Sequence, residues 1–340
     1  MKDKIRELDI LSGLAIIMVI LIHANRFYVK SVLELNSYLE GGFWVNILDN
    51  LIWASVPIFI FIAGYKYYQN NIIKNRSRHQ FIKKQIHKVF IPFLIISLIF
   101  IILEGTLIYL FGESEFLLLH SLKRFCKIFL GYNIAYQLWY VPLYFFIIIL
   151  YPIIYRYIRN DYYRFILLTL LSVLVISNGL LSYPVKFSYY ILFFDMGVIF
   201  NKYQIHKKIK FGYIFILMLV TLLLCVMNKN PELDVYMKHL ILNPILVIFY
   251  WKLSFVVVNI NMFYFLGLYS FYIFLFHEPI IVRGISELIN RTIVYSSFTY
   301  VFMVSILSII VTLMFIKIYL YIKKRILNTV LLKFINLNNR

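Results

Sequence analysis

A histidine near the far end of the first apolar run is the leading candidate for chemistry in this chain. In Arg6-Glu-Leu-Asp9-Ile-Leu-Ser12-Gly13-Leu-Ala-Ile-Ile-Met-Val-Ile-Leu-Ile-His23, no ionisable side chain stands between Asp9 and His23. Burying an ionisable group in a membrane span is costly, so such a group faces a partner or a cavity and marks a working site. An imidazole titrates near neutrality, which suits it to take a proton from a hydroxyl and return it. Asp9 cannot orient that ring, because the intervening helix sets it about 21 Å away at 1.5 Å per residue.

A second candidate is the pair His277 and Glu278, in Ser270-Phe-Tyr-Ile-Phe-Leu-Phe-His277-Glu278-Pro279. A carboxylate beside an imidazole can hold the tautomer of a catalytic ring. Pro279 also lets the segment be read as a kinked interfacial stretch. Two readings also attach to the basic run Lys74, Arg76, Arg78, Lys83, Lys84 and Lys88. It is either a topology and lipid signal, or an electrostatic collar for a polyanionic ligand such as a nucleotide-containing cofactor. Glu104 and Asp195 are further intramembrane acids, and Asp195 can pair with a basic neighbour in a purely structural role. A glycine-rich phosphate loop, a Gly-x-Ser-x-Gly elbow and a His-Glu-x-x-His motif are all absent from the sequence, so ATPase, hydrolase-triad and zinc chemistry have no support. Cys126 and Cys225 lack metal-ligand spacing, and no metal is expected.

These residues have to be positioned by membrane helices. Of 340 residues, 62% are hydrophobic and 14% charged, with a mean hydropathy of +0.83. Soluble domains are about half apolar and a quarter charged. The expected architecture is an all-α polytopic membrane domain spanning residues 1–340. Ten apolar segments can be drawn, about Leu8–Tyr28, Phe43–Tyr68, Val89–Phe111, Ile134–Tyr155, Tyr163–Leu180, Tyr189–Asn201, Phe211–Met227, Leu240–Val258, Phe263–Val282 and Phe298–Ile322. In hydrocarbon every backbone polar group must be paired internally, so continuously apolar runs read as helices. No Ala-x-Ala cleavage pattern follows the first segment, which reads as retained.

The net charge of +19 invites a nucleic-acid reading, but the Lys and Arg residues sit in short runs between apolar segments. There they set orientation and attract lipid headgroups rather than form a continuous basic face, so no nucleic acid is expected as a partner. Alternate loops hold 24 of the 34 basic residues, which places both termini in the cytoplasm. His23 then lies towards the outer surface, about 16 Å above Ser12 on the same face of its helix. His277 falls at a similar depth. The tyrosines and phenylalanines that gather at span ends read as an aromatic belt.

At these residues the chain resembles the membrane-bound acyltransferase-3 family, bacterial O-acetylases of surface carbohydrates. The likeness rests on four ordered regions: Asp9 to His23; Pro57-Ile-Phe59-Ile-Phe61-Ile-Ala63-Gly64-Tyr65 with the basic loop and Pro92; Leu138-Trp139-Tyr140 through Tyr151-Pro152; and Tyr269-Ser270 through His277-Glu278-Pro279. The resemblance implies transfer of an acyl group, usually acetyl, from a cytoplasmic acyl-CoA to a carbohydrate hydroxyl, in the plasma membrane of a bacterium. Membrane lipids and polysaccharide-biosynthesis proteins are the implied partners. It implies that His23 is the catalytic base. The family's basic position, eleven residues before that histidine, is Ser12 here. Arg6, or the loop with Arg76, Arg78, Lys83 and Lys84, is expected to substitute at the donor. The family's Ser-Gly is Ala63-Gly64. The extracytoplasmic esterase-like domain of many relatives is not expected. A transporter or exporter of polysaccharide or lipid-linked sugar is the alternative reading.

Overall fold

A computed structural model describes residues 5–34, 42–73, 77–111, 136–178, 187–228, 230–292 and 297–338, with side chains at several helix ends outside that description. Cys126 and the side chain of Glu104 lie outside the described residues. Every regular element among the described residues is helical: α1 (Arg6–Glu34), α2 (Gly42–Ile52), α3 (Ser55–Tyr67), α4 (Arg78–Gln85), α5 (Ile91–Phe111), α6 (Tyr140–Tyr157), α7 (Asp161–Ser177), α8 (Phe187–Lys202), α9 (Phe211–Met227), α10 (Pro231–Tyr236), α11 (Asn243–Val256), α12 (Asn261–Phe276), α13 (Val282–Thr292) and α14 (Ser297–Asn338).

Over its described residues, each of the ten apolar segments is mainly helical. Five stretches among the described residues are long and apolar enough to cross a bilayer: Arg6–Arg26, Asn46–Ile73, Tyr140–Tyr157, Leu233–Val256 and Thr299–Tyr321. Phe211–Met227 and Asn261–Phe276 are shorter apolar helices. The second segment is broken at Trp53 and Ala54 between α2 and α3. Pro57 explains the break: it has no N–H to give the Trp53 carbonyl, and its ring clashes with that carbonyl in a straight helix.

Helix α1 runs through the centre of the bundle. Leu8, Leu11, Ala15 and Met18 pack into one apolar cluster with α3, α6, α8 and α11. Ile16, Val19, Ile20 and Ala24 pack into another with α12, α13 and α14. A helix apolar on all sides belongs inside, and from Leu8 to Asn25 no residue of α1 is exposed.

Two close backbone approaches fix its neighbours. A β-carbon on Gly13 would collide with the Phe263 carbonyl of α12, and one on Gly267 would collide with the Asp9 carbonyl of α1. The same reciprocity joins α3 to α8, where Gly64 faces the Phe194 carbonyl and Gly197 faces that of Phe61. Without a hydrophobic drive between helices in lipid, contact through small residues is what holds them.

Asp195, Arg164 and Asp161 form a buried knot among α6, α7 and α8. Arg164 donates from Nε to Asp195 Oδ1 (2.6 Å), from one terminal nitrogen to Asp161 Oδ1 (2.7 Å) and from the other to the Ile158 carbonyl (3.0 Å). Tyr151 donates its hydroxyl to the same Asp195 oxygen at 2.5 Å. Asp195 thus has the basic partner expected of a structural acid. At the rim, Lys202 and Tyr203 donate to Asp161 Oδ2. Burial pushes the Asp161 carboxyl up, but hydrogen bonds from Lys202, Tyr203 and Arg164 outweigh it and leave the group below its ordinary range.

Candidate active site

Helix α12 ends at Phe276, and the backbone turns out of helical geometry at Glu278, with φ −126° and ψ 152°. Pro279 accounts for this, because the residue before a proline is pushed from the helical into the extended region. The break sends His277 and Glu278 in different directions. Glu278 does not orient its sequence neighbour. Its Oε1 lies 3.7 Å from His23 Nδ1 on α1. The His23 and His277 rings meet edge to face, with centroids 5.0 Å apart. All three residues are buried: His23 is 8%, His277 0% and Glu278 6% exposed. The segment is therefore kinked, and its two ionisable side chains are buried within the bundle.

The backbone fixes the tautomer of His277. Its Nδ1 lies 3.0 Å from the Ile273 carbonyl and 2.9 Å from that of Phe274. Carbonyls only accept, so Nδ1 carries the proton and Nε2 of the neutral ring keeps its lone pair. That Nε2 is buried and has no hydrogen-bond partner among the described residues. At His23, the Glu278 carboxyl group stands on the Nδ1 side of the ring. The separation of 3.7 Å is ion-pair range, the loose geometry expected before a substrate tightens the site.

Next to this cluster is a cavity of about 420 Å³. Ser12, Ser270, Phe271 and Phe274 form one wall, Phe59, Ile62 and Ala63 of α3 another, and Tyr140 and Tyr144 of α6 a third. Lys66, Lys84 and Lys88 bring positive charge to it. The two histidines and Glu278 do not line this cavity. Phe274 stands between: its ring lies 6.1 Å from His277 and 5.4 Å from Tyr140.

The other sequence candidates divide. Ser12 lines the cavity and donates its hydroxyl to the Leu8 carbonyl at 2.9 Å. Lys84 lines it, whereas Lys83 is exposed on α4 and is not part of the wall. Lys74, Arg76 and the side chain of Arg78 lie outside the described residues. Arg6 is held elsewhere: it donates to the Val258 carbonyl (2.8 Å) and to Asn261 (2.7 Å), and its guanidinium covers the Tyr264 ring. Arg6 therefore braces the start of α12 rather than replacing the cation absent at Ser12. Lys66 was not singled out in the sequence, yet it reaches the cavity wall with its ammonium 3.6 Å from Asp9 Oδ1. Its place as the penultimate residue of α3, at the end of an apolar run, was the available signal.

A family model described as an acyltransferase domain matches residues 5–317. No curated protein and no solved structure matches the chain. A family match over nearly the whole length, on a chain whose described elements are all helical and several of membrane length, leads to one assignment: this chain belongs to the acyltransferase-3 family and is a membrane acyltransferase.

Proposed function

We propose that the protein moves an acyl group, acetyl in the usual case, from a cytoplasmic acyl-CoA to a hydroxyl of a cell-surface or lipid-linked carbohydrate. The observation that carries this reading is the meeting of His23, Glu278 and His277 in one buried cluster beside a lysine-rimmed cavity. Both termini face the cytoplasm in a bacterial plasma membrane, so the lysine end of the cavity meets the donor and the histidines sit towards the acceptor.

His23, oriented by Glu278, takes the proton as the acceptor oxygen attacks the thioester carbonyl. A carbon–oxygen bond forms, the carbon–sulfur bond breaks, and the thiolate leaves with the proton that His23 returns. Nε2 of His277 lies beside that path with a fixed lone pair, and it accepts from a second hydroxyl of the acceptor sugar, which keeps the attacking oxygen in line. The donor pyrophosphate stays with Lys66, Lys84 and Lys88, and the acyl end reaches the histidines when the Phe274 ring turns aside. Holding donor and acceptor in one passage supplies much of the acceleration.

The test uses membranes containing the protein, labelled acetyl-CoA and acceptor polysaccharide. Wild-type protein should transfer label, and His23→Ala should reduce transfer about 10²- to 10⁴-fold, the range for a lost general base. Transfer that persists undiminished in that variant removes His23 from the role. Cells without the protein should export polymer lacking esters; polymer retained inside them would support the exporter reading instead.

A further inference from the structure

Asn71 lies in the wide helical turn Tyr68–Ile73 that continues α3. Its side chain is only 7% exposed, and neither the amide oxygen nor the amide nitrogen has a hydrogen-bond partner among the described residues. A buried amide left in that state is costly unless water or a ligand completes it. Asn71 also lines two cavities at once. One is the lysine-rimmed cavity beside the histidines. The other, about 510 Å³, lies between the turn after α3 and the end of α6, where Tyr67, Pro152, Tyr155, Arg156 and Tyr157 surround it. Both volumes fall within the range of small-molecule sites, about 300–1,000 Å³.

We infer that the second cavity holds the adenine nucleotide of the acyl donor, with Asn71 reading the edge of the base, while the first cavity takes the acyl-bearing arm. The inference rests on the acyl-CoA reading above. A ligand with two unlike halves suits two cavities that share one polar residue. Tyr157 is exposed and offers a flat ring to a purine, and Arg156 is exposed at the rim for the ribose phosphate. An asparagine amide presents a donor and an acceptor side by side. Adenine answers with its N7 acceptor and N6 amino donor; hypoxanthine, with two acceptors on that edge, does not.

The experiment uses the purified full-length protein in lipid nanodiscs with labelled coenzyme A as the probe. Adenosine 3′,5′-bisphosphate and its inosine counterpart compete for the site. In wild-type protein the adenosine compound should displace the probe at about tenfold lower concentration, the discrimination expected of one bidentate base contact. Asn71→Leu should abolish that preference and weaken probe binding. Arg156→Ala, at an exposed position that spares the fold, should weaken probe binding and displacement by both competitors. Equal competition in wild-type protein, or wild-type affinity in Arg156→Ala, would overturn the inference and leave the acyl-CoA reading standing. Failure of wild-type protein to bind coenzyme A would overturn both.

Discussion

Glu278 is the side chain through which the first and last parts of the chain communicate at the site. It is offered to His23 because its own backbone is extended, and that follows from Pro279. Glu278→Gln keeps the shape and removes the carboxyl group that faces Nδ1 of His23. The rate constant for transfer should fall about 10²-fold with little change in KM for the donor, the signature of an interaction made in the transition state. At Phe274, a larger ring should close the passage: Phe274→Trp is expected to bind coenzyme A as wild type does yet transfer little label. The candidates themselves were legible in the sequence, since ionisable groups in apolar runs are conspicuous. Their pairing was not. Helix rise fixes depth along an axis, so it placed His23 and His277 at one level, but it says nothing of which way each residue faces around its own axis or which helices adjoin. Asn71 carried no visible signal and Lys66 only its place at the end of an apolar helix, because polar residues at the end of an apolar segment are ordinary.

At the level of elements, the helices follow from apolar runs and the interruptions follow from proline. Pro279→Ala would let helical geometry continue through Glu278 and swing its carboxylate away from His23. The expected result is a large loss of transfer at unchanged protein level, measured by immunoblot and labelled-acetyl assay. The break at Trp53 was not drawn from the sequence, although Pro57 was in view, because an unbroken apolar run masks a change of direction within it. The glycine contacts were equally hidden. A motif with two glycines on one helix can be seen in sequence, whereas Gly13 with Gly267 and Gly64 with Gly197 place one on each of two distant helices. Gly267→Ala would drive a methyl group into the Asp9 carbonyl of α1, a backbone atom that cannot step aside. Overpacking of this kind costs about 1–3 kcal/mol or more, to be read as a lowered Tm of the protein in detergent.

For the whole molecule, two apolar clusters share α1, and the knot of Arg164, Asp195 and Asp161 ties the opposite side of the bundle. Removing one partner of a buried ion pair strands the other, at about 3–5 kcal/mol. Arg164→Met should therefore reduce the folded yield far more than any substitution at exposed Lys83. The rim of the knot also sets an acid limit. A carboxylate held below its ordinary range stabilises the fold fully above its unfolded pKa of about 3.9 and loses that contribution as pH falls through the folded value. Tm should stay level down to about pH 5 and decline below about pH 4. Asp161→Asn should lower the plateau and flatten that decline.

The four glycines have a consequence for how genetic data on this protein would read. A survey that scores only lost esters would rank Gly13, Gly64, Gly197 and Gly267 beside His23, although each merely leaves room for a carbonyl on the adjoining helix. Counting correctly inserted molecules alongside product would part the two groups. The glycine variants should vanish from the membrane, and the histidine variant should remain there, abundant and inert.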